Sequence, residues 1–74
     1  MGIGIDMTFT VILNGEPVAL PDGTTLAALI AQRGLSPEAV GTAVNGRHVL
    51  RAARAERVLT DGDTVTLFQP IVGG

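Results

Sequence analysis

The chain has 74 residues, a formal net charge of −2 and a hydrophobic content of 46%, which together describe one small domain with enough apolar side chains for a core. Cysteine and lysine are both absent, and all five basic residues are arginine. This composition excludes disulfides, thiolate metal ligands, cysteine nucleophiles and Schiff-base chemistry on a lysine.

The first seven residues carry no targeting signal. Residues 1–6 lack the basic start and apolar core of a signal peptide, and no run in the sequence is long and apolar enough to span a membrane. We interpret residues 1–7, which precede the first predicted strand, as an N-terminal extension of native or artificial origin. If Met7 is the natural start, the added part is residues 1–6. We expect a cytoplasmic protein, which the absence of cysteine suits.

Two strands open the chain. Residues 8–13 alternate in the manner of a strand with one buried face. The apolar residues of that face are Phe9, Val11 and Leu13. Asn14-Gly15 predicts a type I′ hairpin turn, because both central positions of that turn need positive φ. Residues 17–20 then return as a second strand, and Pro17 favours a place at the sheet edge because it has no N–H to donate.

A helix is predicted for residues 25–33. Its apolar stripe has the i, i+3, i+4 spacing that lays one helix face against a sheet. The stripe consists of Leu26, Leu29 and Ile30. Thr24 is the predicted N-cap. At the other end Arg33 complements the helix dipole, and Gly34 followed by Leu35 is typical of a C′ glycine with its hydrophobic contact. We assign this helix a structural role only.

The second half of the chain consists of short strands and turns. Strands are predicted at residues 42–44, 48–50 and 64–68, a single helical turn at residues 36–38 and an irregular turn at residues 52–57. Asn45-Gly46 predicts a second tight hairpin. Asp61-Gly62-Asp63 is a turn, since the spaced oxygen ligands of a calcium loop are missing. The element order predicts an α+β domain in which one main helix packs across a mixed sheet of four to five strands.

No catalytic or metal-binding group is predicted. His48 is the only histidine, and without a cysteine or a second histidine it lacks the partners for a metal site or a triad. Residues 47–57 hold four arginines and one glutamate, a charge of +4 − 1 = +3, but the aromatic side chains typical of nucleic-acid binding are absent there. We expect solvated arginines or a docking edge for an acidic partner, with no bound nucleic acid, membrane or cofactor.

The chain closes on a distinctive segment, which reads Phe68, Gln69, Pro70, Ile71, Val72, Gly73 and Gly74. Pro70 cannot donate to a sheet ladder, so we predict a domain at residues 8–68 and a flexible tail at residues 69–74. Gly73 and Gly74 have no Cβ and fit a channel too narrow for side chains. The tail is therefore either a substrate arm ending in a carboxylate or the frayed end typical of termini. Phe68 is either an exposed anchor for a partner or packed on a neighbouring strand.

Several short blocks of this sequence resemble the ubiquitin-like sulfur carriers, in particular the ThiS family of thiamine biosynthesis. The blocks are Asp22-Gly23-Thr24-Thr25-Leu26, Ala43-Val44-Asn45-Gly46, Arg51, Leu59-Thr60-Asp61-Gly62-Asp63, Phe68 and Gly73-Gly74. The likeness covers residues 8–74. Leu50 stands where many members have proline, and an aromatic residue often found a few positions later is missing. Pro70 is similar to the tail of the MoaD-like carriers of molybdopterin synthesis, which keeps that branch open.

The resemblance implies a β-grasp fold, with the first and last strands parallel and central and the helix crossing the sheet. It implies a carrier protein that is a co-substrate and not an enzyme. A ThiF-like, E1-like adenylyltransferase uses ATP to adenylate the carboxylate of Gly74, a sulfur donor such as a cysteine desulfurase converts it to a thiocarboxylate, and a ThiG-like thiazole synthase takes the sulfur. The carrier itself then binds no cofactor.

The same reading gives each site residue a role. Gly74 carries the sulfur and Gly73 provides clearance for the tail. Docking on partners is assigned to Phe68, Gln69, Pro70, Ile71, Val72 and Arg51. The alternatives are a MoaD-like carrier, a protein modifier joined through Gly74 to lysines of other proteins, and a β-grasp interaction or RNA-binding module with an idle tail.

Overall fold

A computed structural model describes residues 7–69. This part of the chain forms five strands, one α-helix and two short 3₁₀ helices. The strands are β1 (Thr8–Leu13), β2 (Glu16–Pro21), β3 (Gly41–Val44), β4 (Arg47–Val49) and β5 (Thr64–Phe68). The α-helix is α1 (Leu26–Gln32), and the 3₁₀ helices are Pro37–Ala39 and Arg51–Ala53. No helix in residues 7–69 is long and apolar enough to cross a membrane.

The five strands form one mixed sheet in the order β2-β1-β5-β3-β4. β1 and β5 are parallel neighbours, and the other pairs are antiparallel. The predicted β-grasp fold is confirmed, with the last strand at the centre of the sheet and the first strand beside it. β2 lies at an edge, as Pro17 indicated.

Both predicted Asn-Gly turns are confirmed. Asn14 and Gly15 have φ angles of +49° and +88°, and Asn45 and Gly46 have +53° and +81°. Positive φ at both central residues is the type I′ geometry that matches the twist of paired strands. These turns set the β1–β2 and β3–β4 registers.

The N-cap of the helix lies one residue later than predicted. Thr25 is the N-cap, and its hydroxyl accepts a hydrogen bond from the Ala28 N–H at 3.1 Å. Thr24 is buried, and its hydroxyl donates to the Pro21 carbonyl at 2.6 Å. The Thr24 prediction was wrong because Thr25 pairs with Val58 in an extended conformation, so the helix begins only after Thr25.

The helix ends as predicted. Gly34 has a φ of +72°, its N–H donates to the Ala31 carbonyl at 3.0 Å, and the Leu35 N–H donates to the Ile30 carbonyl at 3.2 Å. This pair of bonds is a Schellman motif.

One apolar cluster lies between the helix and one face of the sheet. Its members are Phe9, Val11, Leu13, Leu20, Leu26, Leu29, Ile30, Val44, Leu59 and Val65. We call this side of the sheet the helix face and the opposite side the outer face. The predicted stripe of α1 and the predicted inward face of β1 both lie in the cluster, since each pattern has the period of its element.

Arg54 is buried, although a solvated arginine was expected. Only 5% of its surface is exposed. Its Nε donates to the Thr42 hydroxyl at 3.1 Å, and its terminal nitrogens donate to the carbonyls of Pro37 at 2.8 Å and Val40 at 2.6 Å. Burial, together with the charge of Arg51, lowers the pKa of Arg54. Arg54 therefore ties the segment after β4 to the segment that enters β3.

Asp63 holds together the turn before β5. Its carboxylate accepts hydrogen bonds at 2.9 Å from the Asn45 amide and from the Thr60 N–H. Burial acts to raise the pKa of Asp63, but these bonds and the charge of Arg57 outweigh it and lower the pKa below its ordinary value. The acidic turn is thus a structural element, as the sequence indicated.

Replacing Arg54 by methionine removes its donors and keeps an apolar side chain of similar length. We expect the free energy of unfolding to fall by about 2–4 kcal/mol, because three oxygens lose a charged donor in a largely buried place. Urea denaturation measures this change. The control is Arg47→Met on the exposed strand β4, expected within about 0.5 kcal/mol of the original protein. Similar small losses in both variants would contradict the role given to Arg54.

The lowered pKa of Asp63 makes stability depend on acid. The unfolded carboxyl titrates at about 3.9, so the contribution of Asp63 is complete above that pH and is lost as the pH falls through the lower folded value. We expect Asp63→Asn to be less stable by about 1–3 kcal/mol at pH 7. The difference between the two proteins should shrink as the solution is acidified towards pH 2, measured by thermal unfolding. A constant difference over that range would refute this account.

Candidate functional site

The candidate site is the surface around the point where β5 ends. The structure describes the chain as far as Gln69, so the predicted tail residues lie outside the described residues. These are Pro70, Ile71, Val72, Gly73 and Gly74. We call Phe68 and Gln69, at the end of β5, the tail root. The structure shows how the tail root is held and which surfaces surround it.

β5 has a neighbouring strand on both sides, but the two ladders differ in length. On one side it follows β3 as far as the Gly41–Phe68 pair. On the other side its pairing with β1 covers only Thr64 and Val65. Beyond that point the Asn14 N–H donates to the Val65 carbonyl, and the Asn14 side-chain oxygen accepts from the Leu67 N–H, both at 2.9 Å. Asn14 therefore continues the ladder where β1 has turned away.

Asn45 has the corresponding role at the start of β5. Its side-chain oxygen accepts from the Thr64 N–H at 2.9 Å, and its own N–H donates to the Thr64 carbonyl at 2.7 Å. Sequence reasoning treated Asn14 and Asn45 as turn residues and missed these bonds. The available signal was that both turns use asparagine, whose side chain offers an acceptor as well as tolerance of positive φ.

Phe68 lies on the outer face and combines the two predicted alternatives. Its surface is 41% exposed, yet its ring covers Gly41, where an added Cβ would lie only 2.6 Å from Cζ of the ring. The His48 ring lies beside it, with 6.4 Å between the ring centroids and a tilt of 39°. Leu50 is 66% exposed. Phe68 is thus fixed on its own sheet and still presents a large part of its ring to solvent.

A cavity of about 490 Å³ opens on the helix side of the tail root. Leu67 and Gln69 lie on one side of it, and Arg33 and Leu35 from the end of α1 lie on another. Glu16 at the start of β2 also reaches it. Phe68, whose ring lies on the outer face, also lines this cavity, so the exposed ring and the cavity adjoin at the end of β5.

Arg51 lies in a different place. It begins the second 3₁₀ helix and lines a separate cavity together with Arg54, whereas the cavity beside Gln69 contains neither residue. The structure brings Phe68 and Gln69 together at the tail root, and it does not bring Arg51 to them. Their docking roles remain predictions.

The described residues offer little chemistry of their own. Within residues 7–69 no group of three His, Asp or Glu side chains is placed to hold a metal ion. His48 is an exposed residue of β4, as expected. The geometry is that of a rigid platform for the segment that follows Gln69.

Gly41→Ala tests the contact between Gly41 and Phe68. We expect the variant to lose about 1–3 kcal/mol in the free energy of unfolding, because the new methyl group overlaps the Phe68 ring and must displace it. In a Phe68→Ala background the same change should have a much smaller effect, as measured by urea denaturation of all four proteins. An equal effect in both backgrounds would show that the ring is not what excludes a side chain at Gly41.

Comparisons with known proteins agree with this architecture. A crystal structure of the thiamine biosynthesis protein ThiS from Geobacter metallireducens is similar, with a TM-score of 0.79 and 23% identity over 89% of this chain and 100% of the other. A solution structure of a thiamine biosynthesis protein from the same organism gives a TM-score of 0.72 with 23% identity, covering 89% of this chain and 88% of the other.

A ubiquitin from Caldiarchaeum subterraneum is also similar, with a TM-score of 0.51 and 24% identity, covering 93% of this chain and 99% of the other. At these identities the likeness shows the fold alone. No curated protein matches this sequence.

The family is shown by the sequence itself. The model of the ThiS family matches residues 11–74, which is most of the chain and includes both the central strand β5 and the final Gly73-Gly74. The resemblance found in the short sequence blocks is thereby confirmed. This chain belongs to the ThiS family.

Proposed function

We propose that this protein carries sulfur as a thiocarboxylate on Gly74 and donates it to formation of the thiazole ring of thiamine. Membership of the ThiS family and the β-grasp fold support a sulfur-carrier role in thiamine biosynthesis. Adenylation, formation of the thiocarboxylate and donation to the thiazole are the steps that we propose in addition. The observation that carries it is that the family match runs through β5 to Gly74.

The chemistry starts from a carboxylate that is ionised at neutral pH and unreactive towards nucleophiles. In an E1-like adenylyltransferase, a carboxylate oxygen of Gly74 attacks the α-phosphorus of ATP and pyrophosphate leaves. A nucleophile at the oxidation level of sulfide then attacks the activated carbonyl and displaces AMP. When a cysteine desulfurase supplies the sulfur as a persulfide, a thiol reductant provides the two electrons that bring it to that level. The product is the thiocarboxylate, which a thiazole synthase uses as its sulfur source.

The shape of the carrier supports this division of labour. The six residues that follow Phe68 reach about 20 Å when extended. An extended segment of that length lets the carboxyl end enter a partner's active site while β5 and Phe68 stay on the surface. Gly73 and Gly74 have no side chains to obstruct a narrow channel.

The exposed part of the tail root supplies the first contact in this proposal. Phe68 presents a large exposed aromatic surface whose position is held by Gly41 and β3. A rigid aromatic anchor loses little side-chain entropy on binding, which is why such residues often dominate interfaces. Gln69 is exposed beside it, and both are assigned to docking on the adenylyltransferase or the thiazole synthase.

The test is sulfur loading with a ThiF-like adenylyltransferase, ATP and a sulfide source. We expect the intact mass of the protein to rise by one oxygen-to-sulfur exchange, with the change located on Gly74 by fragmentation in the mass spectrometer. Adding a thiazole synthase with its substrates should return the mass to its starting value. No mass change with such an enzyme, or stable conjugates to lysines of other proteins instead, would overturn the proposal.

Tail variants provide the controls for this experiment. Gly74→Val, or one residue added after Gly74, should reduce loading by at least about 100-fold, because the reacting carboxyl is displaced by more than an ångström. Val72→Ile keeps both glycines and should load normally. Unfolding temperatures of all variants should agree, since the changes lie beyond the sheet.

A further inference from the structure

A second cavity lies on the helix side, between α1 and the segment that follows β4, and has a volume of about 290 Å³. Most of its lining residues are apolar, and Arg51 and Arg54 complete the lining. We call it the arginine pocket and define it by Ala27, Ile30, Ala31, Leu35, Arg51 and Arg54. Neither the fold nor the proposed sulfur chemistry uses it.

The pocket holds positive charge that no acid in the described residues balances. Arg54 is 5% exposed, and its three hydrogen bonds within residues 7–69 all go to uncharged oxygens. A guanidinium has five N–H donors, so two of them are left for a further acceptor. A buried charge without a counterion is unfavourable, and an anion placed against it offsets that loss.

The neighbouring charge has the same sign. Arg51 lies close enough to Arg54 to contribute, after burial, to the lowering of its pKa. Residues 47–57 carry +4 − 1 = +3, while the rest of the chain carries one arginine and six acids, +1 − 6 = −5. The positive charge is therefore concentrated in residues 47–57, of which Arg51 and Arg54 line this pocket and Arg47 and Arg57 line a separate cavity.

The walls restrict what kind of anion fits. Ala27, Ile30 and Ala31 present a hydrocarbon surface from α1, with Leu35 next to them. A phosphate group or a nucleic-acid backbone gains nothing from such walls, because its oxygens need several donors around them. An aliphatic group joined to a single carboxylate matches both parts of the pocket.

The openness of the pocket favours a protein over a small molecule. Ala31, Leu35 and Arg51 are exposed residues, so an occupant would keep one side in solvent. Small-molecule sites are typically about 300–1,000 Å³ and enclose about 70–90% of the ligand's surface. A cavity of about 290 Å³ with an exposed rim lies just below that range and is better suited to a side chain presented by a partner.

We propose that the arginine pocket docks a partner-protein segment in which an aliphatic side chain stands next to a glutamate or aspartate. The aliphatic group lies against α1, and the carboxylate accepts hydrogen bonds from Arg51 and the remaining donors of Arg54. The pocket shares Leu35 with the cavity at the tail root, so the partner lies on the helix side near the tail. This inference does not depend on the proposed sulfur chemistry.

The experiment is a titration of the ¹⁵N-labelled full chain, followed by NMR. The probe is a capped tetrapeptide Ala-Leu-Glu-Ala at low salt, since exposed charges are screened at high salt. We expect saturable shifts of the amide signals of Ala27, Ala31 and Arg51 and of the Arg54 Nε–H. The peptides Ala-Leu-Gln-Ala and Ala-Ala-Glu-Ala should each bind about tenfold more weakly, as expected for the loss of one charged hydrogen bond or one buried side chain.

Matched variants separate the pocket from general charge effects. Arg51→Gln should weaken binding of the Glu peptide about tenfold, whereas Arg47→Gln, with the same net charge, should leave it unchanged. Ala31→Leu fills the pocket and should abolish binding, and Gln32→Leu on the same helix should not. All four changes lie at exposed positions, so the fold is retained.

Three results would overturn the inference. The first is the absence of shifts at the pocket up to about 10 mM peptide, a concentration at which even millimolar binding is detected. The second is equal affinity for the Glu and Gln peptides. The third is undiminished binding to Arg51→Gln. Because the assay contains no adenylyltransferase and no ATP, its outcome is separate from that of the sulfur-loading test.

Discussion

The structure depends on β5 lying between β1 and β3. A strand with a neighbour on each side has most of its backbone groups hydrogen-bonded and its direction fixed. The chain therefore leaves the sheet from its central strand. The backbone pairing with β1 is short, and the side chain of Asn14 supplies the bond to Leu67 that the turning strand no longer offers. The contact of Phe68 with Gly41 completes the anchorage. The residues that follow Gln69 therefore start from a fixed point of the sheet.

Two buried polar groups organise the connections around this sheet. Asp63 joins the second hairpin to the turn before β5, and Arg54 joins the segments on either side of β3 and β4. Both bind mainly backbone groups and uncharged side chains, so each keeps its charge in a site of reduced solvation. For Asp63 the bonds outweigh burial and lower the pKa. For Arg54 they leave the charge without an acidic partner in the described residues, which is the basis for proposing an acidic occupant of the neighbouring pocket.

The two sides of the molecule are thereby suited to different contacts. The outer face offers the exposed ring of Phe68 next to His48, at the start of the tail. The helix side offers an apolar depression lined by two arginines. Arginine is one of the residue types enriched in protein interfaces. The family match covers residues 11–74, which include β2 to β5 and the last residues of the chain.

The sequence by itself determined the element types, both type I′ turns, the helix stripe and the family, because periodicity, turn chemistry and short motifs are local properties. It could not show that Thr25 and not Thr24 caps α1, that Asn14 and Asn45 bond β5, that Gly41 lies under Phe68, or that Arg54 is buried while Arg51 stands apart from the tail root. The side-chain hydrogen bonds of Asn14, Asn45 and Arg54 join residues 12 to 53 positions apart, and Thr25 pairs with Val58. Only the tertiary structure brings such partners together. A polar side chain looks the same in a sequence whether it faces water or a distant carbonyl, and packing alone decides between the two.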